Sequence, residues 1–251
     1  MIRYAHSMSE SKKERLDKAL VLSKCVASRA RAQALIVDGK VAVNGKVQMD
    51  SDFSVIATDE LTLLSGDIPW VSRAALKLEH ALDTWKVNPE GRIVLDIGAS
   101  TGGFTQVLLA RGAKKVYALD VGHDQLADVV KNDPRVVEME GVHIKDVVKE
   151  NFMEPIELIV VDVSFISLAK VLPKIKELLA PEGEAIVLVK PQFEVGKEFV
   201  KKGIVKNPAL HAHVLTEITT RARGLGFEVS LPIDSPILGG DGNKEFLLLL
   251  K

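Results

Sequence analysis

A single cysteine, Cys25, stands among the 251 residues, so an internal disulfide framework is excluded and a reducing compartment fits. On a predicted helix it reads as a packed side chain. No apolar run reaches the roughly 18 residues that cross a bilayer. The first residues, MIRYAHSMSESKKER, lack the apolar core of a secretion signal. A cytoplasmic protein with no membrane partner is expected. Metal ligation has little support, because His211 and His213 lie two apart on a predicted helix and point to different faces. Internal repeats and low-complexity tracts are missing as well. Net charge is only −1, so the whole chain carries no nucleic-acid signal.

The distribution of that charge does carry one. Residues 1–46 hold ten basic side chains and four acidic ones, whereas residues 47–67 hold five acidic and no basic ones. A polyanion would dock on the first stretch, if one docks at all; a merely solvated face is the plain alternative. Hydrophobic residues at 47% and charged residues at 27% are ordinary globular values. The length suits one medium domain plus a small one.

The small domain comes first, at 1–64 with its core at 11–64. KERLDKALVLSKC places Leu16, Leu20 and Val21 on one helical face. Ser28 is a cap for a second helix, RARAQALIVD, which Gly39 ends. In VAVNGKV, Asn44-Gly45 between β-rich runs predicts a tight hairpin. LTLL at 61–64 closes the unit. The words KERLDKAL and SRARAQALIVDGKVAVNGK resemble the RNA-binding domain first described in ribosomal small-subunit protein four. That resemblance implies RNA contacts by Arg15, Lys18, Ser28, Arg29, Arg31, Gln33, Lys40 and Lys46. Phosphate contacts of this kind give salt-dependent affinity rather than sequence reading.

Residues 65–70, SGDIPW, read as a linker with Gly66 and Pro69 as breakers. The second domain, 71–251, has a different rhythm. Ser72 is placed to cap a helix, SRAALKLEHALDTW. Apolar strands then alternate with helical stretches: RIVLDIG, KVYALDVG, RVVEME, ELIVVDV, AIVLVK, FEVSLPI and EFLLLL. The pattern predicts an α/β domain with a Rossmann-like seven-stranded sheet, covered on both faces and ending in an antiparallel strand. Asn207-Pro208 opens the last long helix with a cap and a proline at its first position.

LDIGASTGGF, residues 95–104, follows the first of these strands and opens a helix. Its glycines let backbone approach a ligand. Asp120 ends the next strand, 22 positions after Gly98, where a carboxylate accepts from two ribose hydroxyls. The loop reads G-A-S-T-G-G, so the G-x-G-x-x-G dinucleotide fingerprint is unmet. Asp96 suits the ammonium of a methionine moiety better than a pyrophosphate, which favours S-adenosyl-L-methionine over a nicotinamide dinucleotide. The expected cofactor contacts are Asp96, Gly98, Ala99, Ser100, Gly102, Gly103, Phe104, Asp120, Val121 and Asp162.

Four polar residues stand at unusual places. Lys77 lies on the helix before the sheet, Asp162 and Lys190 end strands, and Glu245 begins the final one. Carboxyl ends of parallel strands converge on the crevice of an open sheet, so Asp162 and Lys190 should face each other there. The four resemble the lysine–aspartate–lysine–glutamate set of FtsJ-type ribose 2′-O-methyltransferases. VSRAALKLE, DIGASTGGFT, VDVSFISL, LVKPQFEVGK and GNKEF together resemble the TlyA family, which joins the same RNA-binding module to such a methyltransferase. The resemblance implies 2′-O-methylation of cytidine in ribosomal RNA, with Lys77, Asp162, Lys190 and Glu245 as the catalytic set and ribosomal RNA or ribosomal subunits as partner. Monomeric behaviour is expected, and no metal. A non-catalytic ribosome-assembly factor or, because some members are called haemolysins, a membrane-acting haemolysin are the rival functions. One position departs from the family: His143 stands where many relatives have asparagine on the adenine side, so it is counted among the expected cofactor contacts as the substitute, with a solvent-facing loop residue as the alternative. GGDGNKE at 239–245 reads as a plain or gating loop beside Glu245.

Overall fold

The computed structural model describes residues 3–4, 13–23, 25–26, 28–37, 39–63, 70–201, 203–239 and 242–251. The chain divides into two compact units, Met1–Pro69 and Trp70–Lys251. The first contains β1 (Arg3–Tyr4), β2 (Glu14–Arg15), α1 (Leu16–Leu22), α2 (Arg29–Val37), β3 (Val41–Val43), β4 (Lys46–Gln48), β5 (Ser54–Val55) and β6 (Leu61–Leu63). Strands β1, β6, β3 and β4 form an antiparallel sheet in that order, and β2 pairs with β5. Asn44 and Gly45 have φ of 51° and 77°. Two successive positive φ values are what a two-residue hairpin of matching twist requires. Ser28 Oγ accepts from the Arg31 N–H at 3.3 Å at the start of α2, as its position predicts. Leu16, Leu20, Leu35 and Ile36 pack with Val41 and Val43 into the core of this unit.

The first helix is shorter than its periodicity predicts. Glu14 and Arg15 are extended against β5, and the N–H groups of Leu16 and Asp17 donate to Phe53 O and Ser51 O. Partners distant in sequence thus take over what would have been the first helical turn. Lys24 of that helix, Asp38 of the next, Leu64 of the closing strand and positions 65–69 of the expected linker lie outside the described residues.

The second unit contains α3 (Ala75–Trp85), β7 (Ile93–Ile97), α4 (Gly103–Ala110), β8 (Lys115–Asp120), α5 (Asp128–Lys131), β9 (Val136–Glu140), β10 (Ile156–Val161), α6 (Leu168–Leu178), β11 (Leu179–Val189), α7 (Pro191–Glu194), α8 (Pro208–Gly224), β12 (Ile233–Asp234) and β13 (Phe246–Leu250). Its seven-stranded sheet has the order β12-β13-β11-β10-β7-β8-β9. Strands β7 to β11 pair in parallel, and β13 runs antiparallel between β11 and β12. Leu95 and Ile97 of β7 face a core shared with α6 and α8, while Val94 faces one shared with α3 and α4. Both sheet faces are therefore buried, which explains the unbroken apolar runs. Asn207 Oδ1 caps α8 by accepting from the Ala209 N–H at 3.0 Å.

Two expectations are corrected. Ser72 does not cap α3, which begins at Ala75 after Ala74 with no side-chain cap. Its hydroxyl lies instead where a Cβ on Gly103 would stand, so the missing side chain lets the two segments meet. FEVSLPI is not a continuous strand; only its last residue, Ile233, belongs to β12. Glu228 and Lys251 do exchange two backbone bonds, but Ser230 Oγ accepts the Leu249 N–H at 3.0 Å. Pro232 follows with no N–H to offer, and the ladder lapses.

The chain builds β8 and β9 on one side of β7 and then returns to lay β10 on the other. This is the topological switch point, and its crevice opens at the carboxyl ends of the strands.

Candidate active site

Strand β11 explains how a lysine reaches the lip of a buried sheet. Ala185 to Val189 are almost fully buried, and each branched side chain among them contributes about 1.5–3 kcal/mol. That packing fixes where the next residue emerges. Lys190 follows, and Pro191 opens α7 at once, its ring occupying a first-turn position that needs no N–H. The neighbouring strand β10 ends one residue before Asp162. Lys190 Nζ and Asp162 Oδ1 come within 2.5 Å. The approach lacks hydrogen-bond alignment, and this oxygen accepts no hydrogen bond. Lys190 Nζ donates instead to Ser164 Oγ at 3.0 Å.

Lys77, on α3, meets the same cluster from the side. Its Nζ donates to Glu245 Oε2 at 2.6 Å and stands 4.0 Å from Asp162 Oδ2. Lys77, Lys190 and Glu245 are all buried. The four residues singled out in the sequence therefore form one chain of alternating charge: Glu245, Lys77, Asp162, Lys190. Buried charges persist only when paired in this way. An acceptor-rich and donor-rich cluster that lines a crevice with little of its surface exposed suits handling of a hydroxyl proton.

The glycine loop turns between β7 and α4 beside this cluster. Gly98 has φ of 86°, and a Cβ there would fall 2.5 Å from the Asp162 carbonyl oxygen. Only glycine lets the loop lie against the end of β10. Gly98, Ser100, Asp162 and Ser164 line two adjoining cavities. One, of about 320 Å³, includes Lys77, Lys190, Gly103 and Phe104; the other, of about 550 Å³, includes Asp120, Val121, His143 and Phe165. Ala99 lines the smaller cavity. Gly102 sits at the N-cap of α4, against Val130 and Leu126 of the neighbouring segment, and lines neither cavity.

Asp120 Oδ1 and Oδ2 accept from the N–H groups of Gly122 and Ser100, both at 2.8 Å. The carboxylate is thereby aimed, with lone pairs remaining for a ligand. His143 Nδ1 accepts from the Lys145 N–H at 3.1 Å, so this nitrogen is occupied within its own turn. Asp96 does not line either cavity. It is fully buried on β7, accepts from Thr105 Oγ1 at 2.6 Å through Oδ2, and leaves Oδ1 without a partner. Burial drives its pKa up to about 7, against the Thr105 hydrogen bond, with the charges of Asp162 and Asp120 adding to the rise. Three carboxylates at or behind one crevice, two of them with an oxygen that accepts no hydrogen bond, suit a cationic ligand and oppose a pyrophosphate.

In the first unit the structure gathers three of the residues expected to touch RNA around a carboxylate the sequence had not marked. Asp17 is fully buried. It accepts from Arg15 Nε and NH2 at 3.1 and 3.0 Å, from Arg29 NH2 at 2.9 Å and from Gln33 Nε2 at 2.7 Å. These bonds, led by the one from Arg15, hold its carboxyl far below the ordinary range. Both guanidiniums stay about half exposed, each with N–H groups to spare. Lys18 pairs with Glu14 at 2.9 Å. Arg31 and Lys40 are half-buried and Lys46 is exposed. The sequence signal for Asp17 was faint: one acid in a basic run, one turn from the buried Leu20. Ser164 had no signal beyond its place two residues after Asp162.

Residues 70–251 match the family model described as FtsJ-like methyltransferase, and residues 14–61 match that of the S4 domain. The candidate rRNA methyltransferase YqxC of Bacillus subtilis is 44% identical over 243 residues, 96% of this chain and 86% of that protein. The 16S/23S rRNA (cytidine-2′-O)-methyltransferase TlyA of Mycobacterium tuberculosis is 41% identical over 243 residues, 96% of this chain and 91% of that protein. A solved structure of a candidate hemolysin from Streptococcus thermophilus matches with a TM-score of 0.76 at 40% identity, over 95% of this chain and 88% of that one. Among the described residues no helix is long and apolar enough to cross a membrane.

Proposed function

The chain belongs to the TlyA family, an FtsJ-like methyltransferase joined to an S4 domain, and from that premise we propose that it methylates cytidine 2′-hydroxyls in ribosomal RNA. The observation that carries this reading is the meeting of Lys77, Asp162, Lys190 and Glu245 beside the Gly98 loop. S-adenosylmethionine, when bound, supplies the methyl group from its sulfonium.

The chain's own residues divide the remaining work. Asp120, with the backbone of Ser100, would hold the ribose and adenine end in the larger cavity. The crevice carboxylates would hold the cationic end. The attacking 2′-hydroxyl must lose its proton as its oxygen takes the methyl group. Lys190 is the group that meets this hydroxyl, oriented by Asp162 and Ser164. As a neutral amine its lone pair takes that proton while the oxygen–methyl bond forms. Lys77, held by Glu245, positions Asp162 from the other side. Phe165, 92% exposed beside the larger cavity with φ of 64°, offers a face on which the target base stacks. A bulky residue held in the left-handed region is strained, and such strain collects where function needs it. In the first unit, Arg15 and Arg29 would meet phosphates as a pair fixed on Asp17.

The test is transfer of tritiated methyl to ribosomal subunits. Wild-type protein is expected to label RNA, and Lys190→Ala to lose at least a hundredfold in rate. Wild-type turnover by that variant would remove Lys190 from its role.

A further inference from the structure

We propose that the segment Gly196–Lys206 is a second RNA-binding element, one that holds the nucleotides flanking the target ribose. The inference rests on the reading of the chain as an RNA methyltransferase. Both ends of the segment are fixed by elements of the active site. It leaves α7, which starts immediately after Lys190, and the Phe193 ring lies 6.0 Å from Lys190 Nζ. It returns onto Asn243, two residues before Glu245. Asn243 Oδ1 accepts from the Val205 N–H at 3.1 Å, and its Nδ2 donates to Gly203 O at 2.8 Å. His211 Nε2 stands 2.8 Å from Val205 O; a carbonyl only accepts, so this nitrogen is the donor. Asn243 and His211 are both buried. Lys201 and Ile204 exchange backbone bonds at 3.1 and 3.0 Å and close the turn between the two ends. Three side-chain bonds to buried groups are a large investment for eleven residues that add little to the core.

What the anchored segment displays suits a nucleic-acid strand. Its sequence, GKEFVKKGIVK, has four lysines and one glutamate. Lys202 lies outside the described residues. Lys201 and Lys206 are exposed and make no ion pair among the described residues. Phe199 is 49% exposed. Unpaired ammonium groups track phosphates, and an aromatic face two residues before the first of them accepts a base without regard to its identity. A single-stranded segment continuing from the target nucleotide meets all three.

The experiment measures binding of full-length protein to a ribosomal RNA fragment across a salt series, with methyl transfer followed on the same samples. Lys201→Ala/Lys206→Ala is expected to weaken binding about tenfold and to flatten the log–log salt slope by about 0.7 for each phosphate no longer neutralised. The Lys201→Arg/Lys206→Arg protein should keep the wild-type slope. Phe199→Ala should weaken binding with the slope unchanged. Affinity for the demethylated cofactor product, by calorimetry, serves as the folding control and should not move. Alanine variants that bind with the wild-type affinity and slope would overturn the proposal. Absence of methyl transfer by the wild type, with the slope still falling in the double variant, would instead overturn the methyltransferase reading and leave the RNA element standing.

Discussion

Asp17→Asn is the substitution whose cost follows most directly from geometry. The carboxylate has no exposed surface and takes four hydrogen bonds, three of them from guanidinium groups. Removing one partner of a buried ion pair costs about 3–5 kcal/mol. Here Arg15 and Arg29 are 43% and 54% exposed, so water compensates part of their loss. About 2–3 kcal/mol remains. A unit of this size has a total stability of only about 3–9 kcal/mol. Hydrogen exchange on the full-length protein should then show α1 and α2 amides exchanging about 30- to 150-fold faster in the variant, with β10 unchanged. The pH dependence has a fixed sign. A depressed carboxyl contributes stability above its unfolded pKa and loses it as pH falls, so the gap between wild type and variant should narrow below about pH 4. Equal protection in the two proteins, or a gap indifferent to pH, would refute the assignment of Asp17 as a charged anchor.

Phe165→Gly should raise the melting temperature by about 2–4 °C, since it relieves a φ of 64° at an exposed side chain, while lowering methyl transfer at limiting RNA. A fall in both would mean that the ring supports the fold. Asp96 behaves oppositely to Asp17. Its folded pKa of about 7 exceeds the unfolded value, so the native state retains a proton that the unfolded chain releases, and stability falls as pH rises from about 4 to 7. By pH 8 this amounts to on the order of 4 kcal/mol. Asp96→Asn should match wild type at pH 4 and melt higher at pH 8; a pH-independent difference would show that Asp96 is ionised in the native state.

The sequence and the structure agree where a residue's place follows from a repeating pattern. Parallel strands place their carboxyl ends together, so Asp162 and Lys190 had to meet once ELIVVDV and AIVLVK were read as strands. Asn44-Gly45 dictated its turn because few other pairs adopt two positive φ values. The disagreements concern contacts that no period encodes. Ser72 lost its capping role to a close approach permitted by Gly103, 31 positions away. Ser230 replaced a ladder bond with its hydroxyl, which dissolved most of an expected strand. Asp17 collects donors from residues 15, 29 and 33, and Asn243 accepts from Val205 and donates to Gly203 on another loop; such convergence is visible only in three dimensions.

The central claim is that Lys190 and its neighbours transfer a methyl group to a ribose 2′-hydroxyl of ribosomal RNA. Mapping 2′-O-methyl positions in ribosomal RNA from cells lacking the protein, and from the same cells supplied with wild type or Lys190→Ala, tests it most directly. Expected is at least one cytidine that is methylated with the wild type and left unmethylated both without the protein and with Lys190→Ala. An identical methylation map in all three would contradict it.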